Sequence, residues 1–137
     1  MEKKRVNKVD DIISEASLAF NCPDLSKWAT SWQGDDRDLI PGEGIVAVFK
    51  PFLLHLLSQG LTRKTLNRHR DNLWLLGGEI IRDLQEEPRL RKRPAYELVT
   101  SAVDCGEGPL IYGCTSEQEQ RSFDSTCKKL NKFLNAS

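Results

Sequence analysis

The sequence predicts an all-α fold, a small bundle of about five helices around one long central helix. Three observations carry this. Apolar residues recur at intervals of three and four through most of the chain. Proline and glycine fall between those stretches, at Pro23, Gly60, Pro88 and in CGEGPLIYGC. Only LIY, residues 110–112, reads as an extended segment, and one strand cannot make a sheet. A length of 137 residues predicts one domain. It divides into a helix and acidic connection over 1–45, a helical core over 46–104 and a closing helix over 115–135.

Val6, Val9, Ile12, Ile13, Ala16 and Phe20 share one face of a first helix, over residues 6–20, which ends before Pro23. The segment NCPDLSKWATSWQGDDRDLIPGEG carries turn formers and acids. It reads as a connection with a short helix whose Trp28 and Trp32 pack on the core. A second helix is expected from Glu43 to Gln59, with Val46, Phe49, Leu53, Leu56 and Leu57 on one face. Pro51 should kink it or mark the start of a shorter helix. Gly60 suits a left-handed stop, and Thr62 is the N-cap of the central helix, 62–84.

The central helix has its stripe at Leu66, Leu73, Gly77, Ile80, Ile81 and Leu84. LWLL, residues 73–76, is apolar all round, so Leu75 needs a second neighbour. Gly77 and Gly78 cost about 1 kcal/mol each in helix propensity, which predicts another helix crossing closely there. Pro88 ends the helix, and the next one holds Pro94 in its first turn, with Leu98, Val99, Ala102 and Val103 inward. Ser116 and Glu119 form a capping box for a last helix with Phe123, Cys127, Leu130 and Leu134 inside.

Charged residues are 29% and apolar types 39%, too apolar for a disordered chain. Net charge is zero, so nothing global draws the protein to nucleic acid or an acidic membrane. The middle differs. Residues 47–96 hold ten basic and five acidic side chains, whereas 1–46 hold six and nine, and 97–137 four and six. An electrostatic function belongs there. No apolar run is expected to cross a bilayer. MEKKRVNKVDDIISE is charged where a signal peptide is apolar, so Cys22, Cys105, Cys114 and Cys127 are expected to be reduced cytoplasmic thiols. The spacing of Cys105, Cys114 and Cys127 matches no usual zinc pattern, and neither metal nor cofactor is expected.

In GLTRKTLNRHRDNLWLLGGEIIR the positive charges oppose the helix dipole. Arg63, Lys64, Arg68 and Arg70 crowd the positive end, and Asp83, Glu86 and Glu87 close the negative end. Free N–H groups at a helix start form an anion site. Thr62, Arg63, Lys64, Thr65 and Arg68 are therefore the candidate phosphate-binding residues. The plainer alternative makes Lys64 and Arg68 a solvated face, with Arg70 snorkelling or pairing with the acids around Asp35, Asp36 and Asp38. RLRKR reads as a solvated loop or a counterweight to Glu86 and Glu87.

Catalytic constellations find little support. His69-Arg70-Asp71 copies the start of a kinase catalytic loop, but Leu76 replaces its asparagine, and no phosphate loop or DFG appears. His55, among leucines, reads as a half-buried helix residue. Glu79 beside Arg82 reads as a surface ion pair. The expectation is a protein that is not an enzyme.

VFKPFLLHLLSQGLTRKTLNRHRDNLWLLGGEI, about residues 46–84, resembles the helical hairpin of the N-terminal core-binding, SAM-like domain of phage-type tyrosine recombinases. The resemblance implies a SAM-like core with extra terminal helices that clamps DNA through its backbone. It implies that Gly60, Leu61, Thr62 and Thr65 form the turn, with Arg63, Lys64 and Arg68 contacting phosphate. No H-x-x-R box follows, and Tyr96 and Tyr112 lack a nucleophile context, so strand transfer is not implied. WLLGGEIIRDL and SFDSTCKKL are also similar to short, uncharacterised bacterial proteins, which implies a bacterial origin. The resulting expectation is a non-catalytic DNA-backbone-binding or recombinase-accessory module, weak and salt-sensitive. The alternative is an antitoxin-like regulatory module docking its basic helix on an acidic protein.

Overall fold

The computed structural model describes residues 8–111 and 116–136, with side chains from Glu15 onward. Val6, Tyr112 and Cys114, and the side chains of Val9, Ile12 and Ile13, lie outside the described residues. Among those described are six α-helices and no strand: α1 Lys8–Asn21, α2 Trp28–Trp32, α3 Leu39–Leu57, α4 Arg63–Glu86, α5 Ala95–Val103 and α6 Glu117–Leu134. Short 3₁₀ turns at Leu25–Lys27, Asp36–Asp38 and Pro88–Lys92 link them. The chain is the small all-α bundle expected. α4 packs against α2, α3, α5 and α6, while α3 touches α1, α2, α4 and α5, so two helices share the centre.

The caps explain the boundaries. Gly60 adopts φ +68°, the left-handed stop after α3. Thr62 then accepts the N–H of Thr65 at 3.1 Å and opens α4. α6 starts at the expected capping box of Ser116 and Glu119. α3 begins at Leu39, ahead of the expected Glu43, because a second capping box, Asp35 with Asp38, turns the acidic connection into a helix entry. Pro41 then lies in the first turn, where its missing N–H costs nothing. The helix runs on through Pro51, whose ring is exposed. Pro94 stands just before α5 as its cap residue, not inside its first turn.

Phe49, Phe52 and Leu56 of α3 meet Leu73, Leu76, Ile81 and Leu84 of α4, with Val99, Val103, Phe123 and Leu130 closing the core. By length and composition the stretch Asp36–Leu57 is apolar enough to cross a membrane, with mean hydropathy 1.4 in its best window, contrary to the expectation of no such run. Its Ile45, Phe49, Phe52, Leu53 and Leu56 are buried against the other helices. Buried residues make up 33% of that window, and Ile40 at its start is 80% exposed.

Two other expectations change. Phe20, placed on the inner stripe of α1, is 68% exposed, and Leu18 and Cys22 are buried instead. Two residues along a helix is about 200°, so Leu18 and Phe20 cannot both face inward. At Gly77 and Gly78 the close neighbour is an indole, not the backbone of another helix. The ring of Trp32 lies where a Gly77 side chain would be, and its Nε1 donates to the Trp74 carbonyl oxygen at 3.0 Å.

Candidate nucleic-acid interface

The start of α4 is organised by its own cap. Thr62 Oγ1 accepts from the Thr65 amide and donates to Thr65 Oγ1 at 3.0 Å. The Leu66 amide reaches the Thr62 carbonyl at 2.9 Å. Of the four amides a helix start leaves free, those of Arg63 and Lys64 have no protein acceptor among the described residues. Arg63 lays its guanidinium over the exposed Phe20 ring, 5.1 Å from the centroid. Lys64 is exposed, and Arg68 donates to Ser122 Oγ on α6 at 3.3 Å. The five candidates therefore sit at one end of one helix, with Arg68 turned toward α6 and Arg63 toward α1.

Arg70 does not belong to this group. It pairs with Asp24 at 2.9 Å, not with the Asp35–Asp38 stretch. Asp38 is taken instead by Arg91, at 2.6 Å, from the RLRKR segment. Asp38 is buried and also accepts from Gln85 Nε2 and the amides of Gly34 and Asp35. That network ties α4, the Pro88–Lys92 turn and the entry to α3 together, so RLRKR is partly a structural clasp.

Arginine pairing separates the helix start from the rest of the surface. Arg37, Arg70, Arg82, Arg89, Arg91, Arg93 and Arg121 each lie within 4.0 Å of a carboxylate. Among the described residues the arginines without one are Arg63 and Arg68, both in the first two turns of α4. α6 runs antiparallel alongside: Ser122 meets Arg68 and Asn72, and Thr126 meets His69 and Asn72. Lys129, one turn beyond Thr126, adds its positive field at His69 to that of Arg68.

Sequence reasoning missed the polar seam beneath these cations. His69 is 2% exposed, and its Nδ1 lies 2.7 Å from Thr126 Oγ1. Asn72 Nδ2 donates to Thr126 Oγ1 at 2.9 Å and to the Ser122 carbonyl at 3.2 Å. Burial, and then the charges of Arg68 and Lys129, push the imidazole down to about 4. His69 is thus neutral at pH 7 and orients helices. The available signal was spacing: His69 and Asn72 are three apart on α4, Ser122 and Thr126 four apart on α6, each a polar strip beside an apolar stripe.

His55, expected to be half-buried, is exposed, stacked against Phe133 with ring centroids 5.0 Å apart. Glu79 pairs with Arg82 at 3.1 Å, and burial raises its pKa above the ordinary carboxylate value. Burial pushes the thiols of Cys22 and Cys127 up to about 11 and about 12, so both are poor nucleophiles, while Cys105 is exposed. Among the described residues no group of three or more His, Cys, Asp or Glu is placed to hold a metal ion.

Compared with known protein families, curated proteins and solved structures, the chain matches none.

Proposed function

We propose that the protein is a non-catalytic module that binds the DNA backbone through the start of α4 and the adjoining face of α6. The carrying observation is the unequal pairing of arginines: Arg63 and Arg68, unlike the others described, have no carboxylate partner, and Lys64 and the free amides lie between them. Thr62 and Thr65 supply hydroxyls at the same end. Such a group offers phosphate oxygens both charge and N–H donors, and it reads no base edges. Binding is weak and sequence-tolerant, since the chain as a whole has zero net charge. A recombinase-accessory role is the specific form that the resemblance over residues 46–84 favours.

Fluorescence anisotropy of a short labelled duplex tests this. Binding is expected at low salt, falling steeply at moderate salt. A folded Lys64→Glu, Arg68→Glu variant is expected to lose it, while a control with the same charge change, Lys27→Glu, Lys92→Glu, retains more. Absence of binding by the wild-type protein at low salt overturns the reading. One observation favours an acidic protein partner instead: Phe20, exposed beneath Arg63, presents apolar area beside a cation, as protein interfaces do.

A further inference from the structure

A half-open cleft of about 340 Å³ lies between α4 and the segment leading into α2, lined by Asp24, Trp28, Arg70, Asp71, Trp74 and Leu75. Local spacing builds it. Arg70 and Trp74 are four apart on α4 and stack one turn above the other. Asp24 and Trp28 bracket the Leu25–Lys27 turn, and the Trp28 indole donates from Nε1 to Asp24 Oδ2 at 3.1 Å.

Most of the donors around this cleft bond protein acceptors, and the exception, Arg70 Nε, is buried beyond the reach of a guest. Arg70 gives an N–H to Asp24 Oδ1 at 2.9 Å, and its Nε is buried without a partner. Trp74 Nε1 donates to Ser31 Oγ at 2.9 Å. The guanidinium charge is matched by Asp24. What remains for a guest is the Trp74 ring, 39% exposed, and the exposed Asp71 carboxylate, which has no cation within 4.0 Å among the described residues. Among the same residues the cation found over an aromatic ring is Arg63 on Phe20, so neither indole of the cleft is occupied.

We propose that this cleft binds an organic cation, an alkylammonium or alkylguanidinium group, between the Trp74 ring and the Asp71 carboxylate. Asp24 and Asp71 against Arg70 leave the wall with one net negative charge. A cation gains from that charge and from the negative face of the indole together. An anion would face Asp71 and compete with Asp24 for Arg70. A neutral apolar group would cover a carboxylate without pairing it. The volume is at the small end of ligand pockets, which run from ~300 to ~1,000 Å³, and suits a single headgroup. The same chemistry arrives on a free amine or on the side chain of a basic peptide. The site is separate from the DNA reading, since Lys64 and Arg68 take no part in it.

The three tryptophans give three indole N–H signals in isotope-labelled protein, and these report occupancy directly. Choline serves as the free cation and N-acetyl-lysinamide as the side-chain surrogate. Either is expected to move the Trp74 and Trp28 signals saturably, with Trp32, outside the cleft wall, moving least. The tighter of the two identifies the source. The tert-butyl analogue of choline, in which carbon replaces the charged nitrogen, is expected not to saturate. Asp71→Asn, at an exposed and unpaired position, is expected to keep the fold and weaken binding by about fivefold. The proposal is overturned if neither cation saturates, if the neutral analogue binds as well, or if Asp71→Asn binds like the wild type.

Discussion

Gly77 and Gly78 are neighbours in α4 that present a methyl group with different surroundings. A Cβ at Gly77 would overlap the six-membered ring of Trp32. That ring is buried and anchored by its bond to the Trp74 carbonyl, so it cannot retreat. Gly77→Ala is expected to destabilise the fold by about 1–3 kcal/mol, the usual cost of overpacking. At Gly78 the nearest atom, Trp32 Cδ1, is 3.4 Å away, an ordinary contact. Gly78→Ala is therefore expected to stabilise by about 0.5–1 kcal/mol through helix propensity. Urea denaturation of the two variants checks the opposite signs, and equal shifts would rule out the Trp32 packing account. Asp38 gives a second test. Burial works against its charge, but hydrogen bonds from Gln85, Arg91 and the Gly34 and Asp35 amides win, holding it at about 2. A carboxyl depressed from 3.8 contributes stability that is present above pH 3.8 and lost as pH falls toward 2. Asp38→Ala leaves Arg91 buried without its partner and is expected to cost about 3–5 kcal/mol at neutral pH. It is also expected to flatten the acid limb of a stability–pH curve.

Between elements, the α4–α6 seam rests on His69, whose proton uptake opposes folding. The unfolded imidazole takes a proton near 6.5, and the buried one only near 4. Stability is full above pH 6.5 and declines as pH falls from 6.5 toward 4, because the unfolded state binds the proton first. His69→Gln, which cannot titrate, is expected to show a shallower decline in urea midpoint across that window; an unchanged decline would place the pH sensitivity elsewhere. The elements were largely legible from the sequence because their signals are local. Thr62, Gly60 and the Ser116–Glu119 box act within a turn, and each sits where its residue type predicts. The start of α3 was hidden because Asp35 and Asp38 read as loop acids, although together they make a cap. Partnerships distant in sequence were not legible. Arg91 with Asp38, Arg70 with Asp24, Trp32 with Gly77 and His69 with Thr126 depend on how helices pack. The candidate interface was legible only as charge at the unfavoured end of a helix. That Arg63 and Arg68 lack carboxylate partners among the described residues, and that Lys129 shares the field of Arg68 at His69, required the packed bundle.

For the molecule as a whole, zero net charge conceals an uneven surface. Among the described residues most arginines are neutralised by nearby carboxylates, while α6 and the start of α4 carry Arg63, Lys64, Arg68 and Lys129 without them. Those charges are the basis of the DNA reading. The Trp74 cleft, with net negative charge, would repel the same ligand, so the two faces should be separable by charge alone. Each phosphate neutralised on duplex DNA contributes about −0.9 to the slope of log affinity against log salt. The most direct test is that slope, measured by anisotropy for the wild type and for Lys64→Glu, Arg68→Glu. A slope of about −3 is expected for the wild type, moving toward zero by about two phosphates' worth in the variant. A variant with the wild-type slope and affinity, or a wild-type protein that does not bind at low salt, would contradict the claim that the start of α4 receives the DNA backbone.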